Sequence, residues 1–154
     1  MSDKSPNEAE PAAEHAAPIS RVLADYKAAV LAKDVGAFTA LYADEVRVFD
    51  LWAEWSYDGV AAWRTTVGNW FASLGHQRVI VDFSDVRTTM AQGLATVHGF
   101  VSYQAVSQDG VPLHSMDNRM TMILKLQDGG AWKIVHEHTS APVSNDNMKV
   151  MLKR

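Results

Sequence analysis

The sequence predicts an α+β domain, with helices grouped on one face of a strongly curved antiparallel or mixed sheet. Three observations carry this expectation. Apolar residues recur at helical spacing in the first half of the chain and stop near Gly75. Long runs rich in β-formers fill the second half. Short turn sequences, "AQG", "QDGVP" and "QDGG", separate those runs. Helices gathered before a meander of strands belong to the α+β class. The length of 154 residues suits one domain with a single core.

Residues 1 to 17 are rich in Ala, Glu, Pro and Ser and nearly free of large apolar side chains, which predicts a disordered N-terminal tail. Ile19, Val22, Leu23, Tyr26, Ala29 and Val30 then follow at helical spacing, with Pro18 suited to a first turn. Asp34 can cap a second, shorter helix that buries Val35, Phe38, Leu41 and Tyr42. A strand is expected from Glu45 to Phe49. Asp58-Gly59 open a third helix with Val60, Trp63, Val67, Trp70, Phe71 and Leu74 on one stripe, and Gly75 can stop it. Four long strands follow. In "RVIVDFSDV", Val79, Val81 and Phe83 share a face. "LATVHGFVSYQAV", "LHSMDNRMTMILKL" and "AWKIVHEHTSA" are the other three. The domain is thus expected over residues 18 to 143, and residues 144 to 154 form a C-terminal tail. Met148, Val150, Met151 and Leu152 of that tail can dock, a second subunit being one possible place. A sheet curled around an amphipathic helix leaves a conical hollow suited to a small apolar ligand.

Several function classes fall away. The chain has no cysteine, so no disulfide, thiol nucleophile or thiolate metal site. A formal charge of -4 without a basic block argues against nucleic acid or an anionic membrane as partner. No apolar run is long enough to span a bilayer, and the first residues lack the apolar core of a secretory signal, which fits a cytoplasmic protein. There is no phosphate-binding glycine loop and no Gly-x-Ser-x-Gly.

The chemistry centres on "VRVFDLWAEWSYDG", where a strand ends in Asp50 and two tryptophans follow. A carboxylate held in an apolar pocket has a raised pKa and can carry protons. An aspartate at a strand end can equally be a turn former. Phe49, Trp52 and Trp55, with Trp63 and Trp70 of the third helix and Phe100 of the second long strand, are the candidate substrate-binding aromatics. Tyr26, on the apolar stripe of the first helix, can donate a hydrogen bond into a cavity or simply fill the core. Strict alternation puts His136 and His138 on one face of the last strand with Trp132 and Ile134, and Lys133, Glu137 and Thr139 on the more polar face. The two histidines, joined by His98, are therefore expected on the pocket wall. His-x-His on a strand is a weak metal signal, and no metal is expected. Asp117 and Arg119 lie opposite Met116, Asn118, Met120, Met122 and Leu124 by alternation, unless a bulge turns them inward.

The run "YKAAVLAKDVGAFTALYADEVRVFDLWAEWSYDGVAAW", Tyr26 to Trp63, resembles the steroid Δ5-3-ketosteroid isomerases and the related SnoaL-like polyketide cyclases of the NTF2-like superfamily. The shared features are Tyr-x-Ala-Ala, Asp34, "LYADE", and Asp50 followed nine residues later by Gly59. The spacing from Tyr26 to Asp50 is that between the isomerases' oxyanion-hole tyrosine and their base. "WKIVHEHTSAP" is similar to the SnoaL-like branch. The resemblance implies a cone-shaped, NTF2-like (cystatin-like) fold and a homodimer. It implies Asp50 as base, Tyr26 as oxyanion donor and, after an insertion of about six residues near Asp109-Gly110, Asp117 as a second acid. Arg119 joins the candidate substrate-binding residues. Leu51, where the isomerases have proline, and the tryptophans and histidines are departures, closer to dehydratases and cyclases of the same fold. Two functions result. One is a cofactor-independent proton-transfer enzyme for a small, mainly apolar carbonyl compound. The other is a non-catalytic small-molecule-binding or assembly module.

Overall fold

The computed structural model describes residues 11–154, with side chains from residue 16. Residues 1–10 of the expected tail lie outside the described residues. Helix α1 spans Pro11–Ala32 and buries Ile19, Val22, Tyr26, Ala29 and Val30, a single stripe at spacings of three and four. It starts before Pro18, which lies inside the helix and removes one N–H from its ladder. Helix α2, Val35–Thr39, is capped as expected: the Asp34 carboxylate accepts from the Ala37 amide at 2.9 Å. Its Phe38 is fully buried. Helix α3, Val60–Ser73, begins after Gly59, whose φ of 88° no side-chain-bearing residue adopts readily, and buries Trp63, Val67 and Phe71.

The strands are β1 Tyr42–Phe49, β2 Tyr57–Asp58, β3 Arg78–Ala91, β4 Leu94–Val106, β5 Pro112–Leu126 and β6 Trp132–Ser140. They form one open, mixed sheet in the order β2-β1-β6-β5-β4-β3. The meander β3 to β6 is antiparallel throughout, and β1 joins β6 in parallel. Strand β1 starts at Tyr42, earlier than expected, because Tyr42 pairs with Ile134 of β6. That partner is remote in sequence, so no local pattern announces it. Strand β2 is two residues long, too short for any periodicity to reveal.

Bulges bend the sheet. In β3 the register slips between Ser84 and Arg87, and Asp85 takes a φ of 48°. This bulge lies over Gly99 of β4, where a Cβ would sit 2.9 Å from the Ser84 carbonyl oxygen. The inner face of the sheet presents Val79, Val81, Val97, Val101, Met122, Leu124 and Ile134 to α1, α3 and Phe38, forming one core.

A second bulge changes the expected facing of β6. Ile134 pairs with Leu124, but His136 pairs with Ile123, so Val135 is one residue extra. The phase inverts there. Ile134, Glu137 and Thr139 are buried, at 0%, 2% and 4% exposure, while His136 and His138 turn to the outer face. The expected placement of the two histidines in the hollow is thereby corrected. The C-terminal segment docks on its own domain. Val143 bridges Val150, and the Asp117 amide donates to the Leu152 carbonyl at 2.8 Å. No helix among the described residues is long and apolar enough to cross a membrane.

Candidate functional site

A cavity of about 590 Å³ opens between the inner sheet face, α1, α3 and the loop after β1. Strand alternation delivers its main carboxylate. Val48 points into the core, Phe49 outward, and Asp50 inward again at the strand end. The Thr139 hydroxyl donates to Asp50 Oδ1 at 3.1 Å, and the Trp52 amide donates to Oδ2 at 3.2 Å. The Leu51 amide in turn donates to Thr139 Oγ1 at 3.2 Å. Burial pushes the Asp50 carboxyl above its ordinary value, and these hydrogen bonds hold the rise in check.

Across the cavity stands a phenol pair. Tyr26 of α1 and Tyr103 of β4 share a hydrogen bond of 2.8 Å between their hydroxyls. Burial pushes both phenols well above the usual value, so they remain donors at any ordinary pH. Tyr26 is fixed edge-on between Phe38 and Phe83, with centroids at 4.8 and 5.4 Å. Tyr103 is not among the site residues expected from the sequence. Its position in step with Val97, Val101 and Ala105 on β4 is the available signal.

The second acid of the cavity is Glu137. Tyr42 donates to its Oε1 at 2.9 Å, and both side chains are buried. Burial, opposed by the Tyr42 hydrogen bond and reinforced by the charge on Asp50, pushes its carboxyl up to about 8. Sequence reasoning misses it because strict alternation puts it on the outer face, and the Val135 bulge reverses that. One further polar atom on the lining residues, the buried Asn118 Oδ1, has no partner among the described residues.

Of the expected residues, the cavity gathers Asp50, Tyr26, Trp52, Trp63 and Trp70. The others lie elsewhere. Trp55 is 97% exposed. Phe49 packs edge-on against His136 and His138 on the outer face, at 4.9 and 5.5 Å. His98 pairs with Thr121, and Thr121 with His138, so all three share that outer face. Phe100 lies under the Arg154 guanidinium at 3.9 Å. Arg119 donates to the Ser140 hydroxyl at 3.1 Å. Asp117 accepts from the Arg154 amide at 2.9 Å and tethers the C-terminus instead of lining the cavity. Regular alternation in β5 keeps Asn118, Met120 and Met122 inward, so no bulge brings Asp117 or Arg119 in. Among the described residues, no three His, Asp or Glu side chains gather to hold a metal ion.

The arrangement offers a carboxylate of raised basicity, a hydrogen-bonded phenol pair with one O–H left to donate and a second acid, within walls of tryptophan and tyrosine. Comparisons with known proteins agree on the frame. An NTF2-like protein of unknown function from Pseudomonas putida KT2440 superposes with a TM-score of 0.79 at 20% identity, over 92% of this chain and 96% of that one. ActVI-ORFA from Streptomyces coelicolor matches with a TM-score of 0.74 at 11% identity, over 82% and 96% of the two chains. Aln2 from a Streptomyces species gives 0.73 at 13% identity, over 89% and 93%. At such identities the likeness shows the fold, which is NTF2-like. No curated protein sequence matches. The model of the SnoaL-like domain matches residues 19–144, and the chain belongs to that family.

Proposed function

We propose that the protein is a cofactor-independent proton-transfer enzyme of the isomerase, cyclase or dehydratase type. Its substrate is a small, largely apolar carbonyl compound. Asp50 removes a proton next to the carbonyl, and Tyr26, joined to Tyr103, donates to the oxygen as negative charge develops there. The observation that carries this proposal is the shared cavity: a desolvated carboxylate and a pair of buried phenol donors line one hollow. The hollow lies within the roughly 300–1,000 Å³ common for small-molecule sites. Some members of the SnoaL-like family are polyketide cyclases, which supports this class of chemistry. A homodimer is proposed from the family resemblance.

The test is exchange of α-protons in a panel of aryl and alicyclic ketones in D2O, followed by NMR. Wild-type protein accelerates exchange for at least one ketone, and Asp50→Asn abolishes the acceleration without abolishing binding. Equal exchange with both proteins overturns the assignment. One observation favours a second function, a binding module without chemistry. The Trp52 amide bonded to Asp50 Oδ2 is the contact of a turn-forming aspartate. Under that function ligands bind and no ketone exchanges faster.

A further inference from the structure

The polar groups of the cavity are unbalanced. Two acids, Asp50 and Glu137, line it; among the described residues its lining holds no lysine or arginine and one histidine, the exposed His114 of β5. Each carboxylate can accept about four hydrogen bonds. Glu137 receives one, from Tyr42, and Asp50 receives two, from Thr139 and Trp52. Asn118, only 4% exposed, adds an acceptor, Oδ1, that nothing among the described residues satisfies.

Asp50 lies between the other two along the sheet. Glu137 and Thr139, which holds Asp50, are successive inward residues of β6. Thr139 pairs with Met120 of β5, whose inward neighbour is Asn118. The rest of the lining mixes seven Phe, Tyr and Trp side chains, among them Trp52, Trp63, Trp70 and Tyr103, with aliphatic and a few polar ones. Aromatic faces attract cations, most strongly where water is excluded. Glu137 holds its proton at pH 7, so a neutral or anionic ligand would leave Asp50 as the charge without a counter-ion in an apolar hollow.

We propose that the cavity binds a small organic amine in its protonated form, the ammonium donating to Asp50, with Glu137 and Asn118 Oδ1 flanking it on opposite sides along the sheet, while its hydrocarbon part packs on the aromatic wall. The orphan amide oxygen calls for a hydrogen-bond donor, which a quaternary ammonium lacks and a primary or secondary one has. This inference deepens the proposed function, since it names the charge of the ligand for the same cavity. It rests on that proposal only in taking the cavity as a ligand site, and it requires no catalysis.

Charge balance adds a signature. The titratable groups that face Glu137 or share its cavity are Tyr42 from β1, Asp50 after it, Tyr57 from β2, Tyr26 from α1, Tyr103 from β4 and His114 from β5; α3 contributes none. His114 is exposed and eight residues along β5 from Met122, the partner of Glu137, and none of the others can become a cation, so an arriving ammonium is the group that ionises Glu137 and expels its proton.

The test uses the full chain and needs no turnover. Titration of the tryptophan fluorescence at pH 7 compares arylalkylamines from benzylamine to tryptamine with the alcohols of the same skeletons and with their N-trimethylated forms. Calorimetry in buffers of different ionisation enthalpy counts protons. The expected result is that at least one amine binds about tenfold or more tightly than its alcohol and trimethyl analogue, with release of up to about one proton. Glu137→Gln, which keeps the shape, removes the proton release and most of the preference. Asn118→Leu lowers amine affinity without changing proton release. The inference is overturned if no amine in the panel binds, if the alcohols bind as well as the amines, or if folded Glu137→Gln keeps the full preference. Amine binding with no ketone exchange would sink the catalytic proposal alone; exchange without amine preference would sink this one alone.

Discussion

Tyr42 and Glu137, one on β1 and one on β6, share a hydrogen bond of 2.9 Å inside the core, and it joins the parallel pair of strands in the sheet. The carboxyl of Glu137 titrates at about 8, because burial outweighs the Tyr42 hydrogen bond. In the unfolded chain it titrates near the ordinary 4.5. Between these values the folded state holds a proton that the unfolded state has lost. Stability is therefore complete below the lower value and falls as pH rises toward the higher one, by up to about 1.4 kcal/mol per pH unit. Urea denaturation from pH 4.5 to 8.5 should show this decline, and Glu137→Gln should flatten it. An unchanged slope in the variant would place the proton elsewhere.

Asp50 follows the opposite requirement in function. A base acts ionised, so kcat/KM should fall as pH drops through its raised pKa. The Thr139 hydroxyl stabilises the ionised form. Thr139→Val should move the acid limb of the pH profile upward, while Asp50→Asn should cost about 10²-fold or more in turnover. Asp117→Asn, altering a group that only tethers the C-terminus, should cost much less. A large loss from Asp117→Asn with an intact Asp50 profile would reverse the two roles.

The bend between β3 and β4 depends on a missing side chain. A Cβ on Gly99 meets the Ser84 oxygen at 2.9 Å, the Asp85 oxygen at 3.1 Å and Val86 Cα at 3.2 Å, all backbone atoms that cannot rotate away. Gly99→Ala should destabilise by about 1–3 kcal/mol, read from the denaturation midpoint, although alanine is otherwise at least as good in a strand. A change within about 0.5 kcal/mol would show that the bulge yields.

What can be read from the sequence divides along the range of the forces involved. The capping of α2 by Asp34, the stripe of α1 and the inward set Val79, Val81 and Phe83 are local patterns, and they appear as expected. Asp50 and Tyr26 reach one cavity through a strand end and a helix stripe, both legible. Glu137 is hidden by one extra residue, Val135, since each bulge reverses every later side chain. The start of β1 at Tyr42 and the docking of Leu152 depend on pairings with distant strands, which no window of residues contains.

Leu152 lines the cavity from the C-terminal segment, held there by the Asp117 amide. An apolar side chain there would cover a bound ligand without taking part in its polar contacts. Leu152→Ala should therefore raise the dissociation rate of a bound amine or ketone several-fold, with little change in association. Stopped-flow fluorescence separates the two. A slower association with unchanged dissociation would mean that the segment forms the entrance and not the cover.

The two tryptophans after Asp50 make the sharpest contrast. Trp52 is about half exposed and lines the cavity, and its amide holds the Asp50 carboxylate. Trp55 is 97% exposed and touches no part of the site. Trp52→Ala keeps the backbone hydrogen bond and removes only the indole, so its effect reports on the wall of the cavity. Loss of one aromatic face should weaken ligand binding by about 1–2 kcal/mol, roughly five- to thirtyfold, while the pKa of Asp50 governing the pH profile changes little. Trp55→Ala should leave both affinity and stability within about 0.5 kcal/mol. If Trp55→Ala weakens binding as much as Trp52→Ala, the loop closes over the ligand and carries Trp55 into the site.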